Sequence, residues 1–64
     1  MIPNTEEIVK KIGKRAWIKS RELARVLRVE DVEFDDFVET LMGLQARGDI
    51  VRVPGRGWNI PDRV

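Results

Sequence analysis

The chain has 64 residues, of which 42% are apolar and 36% charged, with a net charge of +1 and neither Cys nor His. A chain this short makes one domain and buries only about 60% of its unfolded surface, which leaves little room for a catalytic pocket and favours a binding module over an enzyme. Without Cys or His there is no disulfide, no Cys/His metal site and no His-activated nucleophile. No cofactor is implied, and the absence of a membrane-length apolar run or an apolar leader core sets the expected compartment as the cytoplasm.

Asn4 and Glu7 have capping-box spacing ahead of Ile8, Val9 and Ile12, and Gly13 is a natural stop, so a first helix is predicted over about 5–12. Trp17-Ile18 then offers a short extended segment, a possible third strand. Ser20 is a good N-cap for a second helix over about 21–28. Leu23, Ala24 and Leu27 fall on one face of that helix, and Arg21, Arg25 and Arg28 on the other. An acid-rich turn spans 29–32.

The third helix has the clearest periodicity: Phe34, Phe37, Val38, Leu41, Met42 and Gln45 form one stripe, extended by Leu44. Asp31, Glu33, Asp35 and Asp36 crowd its start, Arg47 sits at its end as the helix dipole favours, and Gly48 closes it. The β-branched run 50–53 and the segment 58–60 then read as two strands of a hairpin, with Pro54-Gly55 at the centre of a type II turn. Periodicity places Ile8, Ile12, Leu23, Leu27, Phe34, Val38, Leu41 and Ile60 in a shared core.

This order is that of a winged helix-turn-helix: three helices and a two-stranded wing in one domain spanning 1–64, with its core at about 5–61. Several features resemble the winged-helix domain at the N-terminus of ribonuclease R-type exoribonucleases. They are Ser20 with Glu22-Leu23-Ala24, the acidic turn from Glu30 to Glu33, the junction Ala46-Arg47-Gly48-Asp49-Ile50, and the closing Trp58-Asn59-Ile60-Pro61. The spacing from Leu27 to Gly48 also resembles that family. The catalytic, cold-shock-like and oligonucleotide-binding domains of such an exonuclease are not in this sequence. The resemblance therefore implies a nucleic-acid-binding or regulatory accessory domain, not nuclease activity.

Charge is unevenly spread. Residues 1–29 carry eight Lys or Arg against three Glu, 30–49 carry seven acids against Arg47, and 50–64 carry three Arg against one Asp. The Arg21, Arg25 and Arg28 stripe, with Lys19, suits phosphates because guanidinium groups are forked, permanently charged donors. Ser20 and the free N–H groups at the same helix start offer a further phosphate contact. Arg52 and Arg56 flank the wing turn, where a basic tip can enter a minor groove or grip a backbone. The competing explanation is solvated helix faces and a charged hairpin that protects its own edges. Trp58 is expected to roof the core, with base stacking as the alternative; Trp17, beside Lys14, Arg15 and Lys19, offers a half-exposed stacking surface.

The third helix argues against ordinary major-groove reading. Its expected outer face holds Asp36, Glu39, Thr40, Gly43 and Arg47, and two carboxylates there repel phosphates. Gly43 costs roughly 1 kcal/mol in a helix interior, which suggests close approach of a partner. Two readings follow. In the first, the second helix and the wing bind nucleic acid, DNA or RNA undetermined. In the second, the acidic third helix docks through Asp36, Glu39 and Gly43 on a basic protein surface or on another domain of a longer chain. Neither requires a membrane.

Overall fold

The computed structural model describes all 64 residues. Helix α1 (Thr5–Arg15) begins where the Asn4 side chain accepts the Glu7 N–H at 2.8 Å, with Glu6 and Glu7 in its first turn and Lys14 and Arg15 in its last. It runs through Gly13, past the expected stop. Gly13 is helical, and its open side takes the Ile60 side chain, which would lie 3.6 Å from an added Cβ. Packing of the chain's far end on α1 therefore overrides the local stop signal.

Helix α2 (Ser20–Val26) is shorter than expected. Lys19, not Ser20, is the residue before its first turn, and no side chain caps it. Ser20 is drawn elsewhere: its hydroxyl accepts the Trp58 indole N–H at 2.8 Å. Arg28 lies beyond the helix, in the left-handed region at φ 60°. There the Arg28 N–H reaches the Arg25 carbonyl and the Val29 N–H reaches the Ala24 carbonyl, a Schellman closure.

A 3₁₀ turn (Asp31–Glu33) leads into α3 (Phe34–Arg47), with Glu30 and Glu33 forming a capping box across the turn. The inward line of α3 is Phe37, Leu41 and Leu44. Phe34 and Val38 are half-buried, Gln45 is exposed, and Met42 is 51% exposed. The buried stripe is thus rotated from the expected one towards Leu44. Gly48 ends α3 at φ 87° with the same pair of closing hydrogen bonds that ends α2.

Strands β1 (Val51–Val53) and β2 (Gly57–Asn59) pair antiparallel, with Val51 opposite Asn59, Arg52 opposite Trp58 and Val53 opposite Gly57. Each strand lies one residue off the expected start. Pro54-Gly55 fills the turn, closed by the Arg56 N–H donating to the Val53 carbonyl at 3.0 Å. Ile18 forms a bridge to the far side of Trp58, each N–H donating to the other's carbonyl, at 3.2 and 2.7 Å. The expected third strand is therefore a single bridge. It explains Gly57, whose added Cβ would sit 2.4 Å from the Ile18 carbonyl oxygen.

The core is Ile8, Ile12, Ile18, Leu23, Ala24, Phe37, Leu41, Leu44, Ile50 and Trp58. Of the expected set, Ile8, Ile12, Leu23 and Leu41 are fully buried, Leu27, Phe34 and Ile60 are half-buried at its rim, and Val38 is half-buried and outside the core. Trp58 is 1% exposed and roofs this core. No helix is long and apolar enough to cross a membrane. The architecture is a small, mainly helical α+β fold: three helices and one two-stranded antiparallel hairpin.

Candidate nucleic-acid interface

The outer face of α2 presents Arg21 and Arg25 one turn apart, both exposed. Arg28 is off the helix, yet its left-handed backbone keeps it beside them. All three line one cleft, together with Asp31 and Phe34. The Arg21 guanidinium lies over the Phe34 ring, 4.4 Å from its centre. A flat cation on an aromatic face is partly desolvated and held in place. Arg25 approaches Glu22 at 3.9 Å, but both side chains are exposed, and such a pair contributes little.

A second cleft lies between the start of α2 and the hairpin. It brings Lys19, Ser20 and Arg21 together with Arg52, against Gly57 and Trp58. The Ser20 hydroxyl already accepts a hydrogen bond from Trp58, so it keeps its own proton as a donor. Arg56 does not join Arg52. It turns to the other side of the hairpin, with its guanidinium 4.6 Å from the centre of the Trp17 ring. There it lines a third cleft with Arg15, Trp17, Lys19 and Glu22. A fourth cleft sets Lys10, Lys11 and Lys14 of α1 against Arg28 and the end of α2.

These clefts adjoin. Lys19 borders the third and the second, Arg21 the second and the first, and Arg28 the first and the fourth. They form one continuous band holding ten of the twelve Lys and Arg, all but Arg47 and Arg63. Glu7, Glu22 and Asp31 are the acids within it, and Glu6 stands in a further cleft that shares Glu7 and Lys10 with the fourth. Asp36, Glu39 and Gly43 are exposed on α3 and line none of these clefts, so the acidic patch is set apart from the band. Nothing in the chain lies within 4 Å of a Cβ added at Gly43.

The sequence alone left the lysines of α1 and Arg15 outside the site. The signal that could have found them was the phase of α1: with Ile8 and Ile12 inward, Lys10 and Lys14 turn outward together. The cation contacts of Arg21 and Arg56 join residues distant in sequence and had no local signal. The two perturbed titrations lie away from the band, where a hydrogen bond from the Met1 ammonium to Glu33 raises the former and lowers the latter. No three acidic side chains converge on a point that could hold a metal ion. Comparison of the chain with family models, curated proteins and solved structures finds no match.

Proposed function

We propose that the chain is a cytoplasmic winged-helix module that binds nucleic acid through α2, the hairpin and the lysines of α1, as an accessory domain resembling that of ribonuclease R-type exoribonucleases and not as an enzyme. The observation that carries this reading is the continuous basic band. Neighbouring clefts of the band share Lys19, Arg21 and Arg28, and phosphate contacts dominate the affinity of nucleic-acid-binding proteins. The helix order, the hairpin and the Ile18 bridge agree with a winged-helix layout. Helix α3 turns carboxylates outward, so backbone contact along the band replaces insertion of α3 into a groove.

The test is a titration of duplex DNA, single-stranded RNA and structured RNA in a salt series. Replacing Arg21, Arg25 and Arg28 with Gln leaves the core untouched. It weakens binding and flattens log K against log salt by roughly 0.7 to 0.9 for each phosphate that is no longer neutralised. Absence of measurable wild-type binding at low salt overturns the reading.

A second reading rests on α3. There Gly43 is open, Met42 is 51% exposed, and Asp36 and Glu39 stand free of any ion pair, a surface suited to a basic protein partner. It predicts that the arginine variant keeps its partner and that replacing Asp36 and Glu39 with Gln loses it.

A further inference from the structure

We infer that the cleft between Trp17 and Arg56 takes one unstacked base, so that the band selects single-stranded nucleic acid over duplex. This rests on the nucleic-acid reading above and specifies its substrate. The molecule has two tryptophans with different environments. Trp58 is buried and its indole N–H is satisfied by Ser20. Trp17 is half-buried, lies outside the core, and lines a surface cleft.

The guanidinium of the exposed Arg56 lies over one face of the Trp17 ring. A guanidinium packs on an aromatic ring as a base does, and also packs on a base. Arg56 follows the hairpin turn and forms no ion pair that would hold it down. Stacked planes lie about 3.4 Å apart, so admitting a base between ring and guanidinium moves the guanidinium outward by about one such interval, within the reach of a long surface side chain. Arg15 and Lys19 border the same cleft and suit the phosphates on either side of the nucleotide; Glu22, the one acid there, leans towards Arg25. In the interior of a duplex both faces of each base are covered by its neighbours, and an end pair exposes only one, so only an unpaired base can enter between ring and guanidinium.

The experiment uses a short oligothymidylate and a blunt duplex of mixed sequence as probes, at one low salt concentration, with tryptophan emission and affinity followed separately. Both tryptophans emit, and Trp58 borders the second cleft, so the Trp17 contribution is the part of the quench that the Trp17→Phe protein lacks. The oligothymidylate should quench wild-type emission, the duplex should not, and the Trp17→Phe protein should lose the quench. Trp17→Ala should weaken oligothymidylate binding roughly tenfold and leave duplex binding within about twofold, with the melting transition checked in each variant.

Unchanged wild-type emission at saturating oligothymidylate overturns the inference, as does an equal weakening for both probes in a folded Trp17→Ala protein. In either case, if both probes still bind and the arginine variant weakens both, the nucleic-acid reading stands without the stacking site. If neither probe binds the wild type, both fall together.

Discussion

Arg28 and Gly48 occupy the same place in two copies of one helix ending. Each sits in the left-handed region, and each is followed by a residue whose N–H reaches back to close the helix. Glycine holds that conformation freely, whereas an arginine there is strained by about 1 kcal/mol. The strained residue is the one that joins the α2 cleft to the lysine cleft. Strain of this kind persists where the surrounding structure over-determines it, here through the two hydrogen bonds that close α2. Replacing Arg28 with Gly should therefore stabilise the protein by about 1 kcal/mol while weakening nucleic-acid binding. A denaturant titration and a binding isotherm on the same sample check the two opposite signs. Ser20 teaches a different lesson. Its residue type and position predicted a helix cap, and the structure commits the hydroxyl to Trp58, whose buried N–H would otherwise lack a partner at a cost of about 1–3 kcal/mol.

At the scale of elements, the existence and order of the helices were legible because each buries a periodic apolar face, and the hairpin because Pro54-Gly55 separates two β-branched or aromatic runs. What was not legible depends on residues distant in sequence. Gly13 is a stop by local rules and a packing surface for Ile60 in the fold. Ile18 and Gly57 approach each other to a distance only glycine permits, and neither residue's neighbours in sequence announce it. The rotation of α3 followed from the same blindness, because Leu44 packs inward while Met42, which fits the local stripe equally well, faces out. Gly43 shares that outer region with free space around it. Alanine there should stabilise the protein by about 1 kcal/mol, since helix propensity improves and nothing is displaced. In a domain of this size that is a rise in melting temperature of about 4–8 °C. Nucleic-acid affinity should not change, and weaker binding by this variant would move the binding face onto α3.

For the whole molecule, the decisive property is how the fold distributes charge. A net charge of +1 conceals a band with ten cations and an acidic helix set apart from it. The arginine half of the band was visible in the sequence as a helical stripe. Its lysine half was not, because nothing in α1 says that its outer face meets the end of α2. The lysines therefore give the sharper test of whether one ligand follows the entire band. The molecule is 31 Å at its longest, so a strand rising 3.4 Å per nucleotide matches that extent at about nine nucleotides. Replacing Lys10, Lys11 and Lys14 with Gln should weaken binding of probes longer than this and flatten their salt dependence, by roughly 0.7 for each phosphate of a single strand left without its lysine. Much shorter probes, held at the hairpin, should bind as they do to the wild type. Replacing Asp36 and Glu39 with Gln should act differently again. Those carboxylates lie off the band, so they influence phosphates only through the solvent, where screening sets in beyond about 8 Å at physiological salt. That variant should bind slightly more tightly at low salt and identically at physiological salt, for probes of every length. Isotherms for both variants over two salt concentrations and two probe lengths read all of these signs. If the lysine variant matches the wild type on the longer probes, the ligand stops at the hairpin and α2, and α1 carries its lysines only as a solvated face.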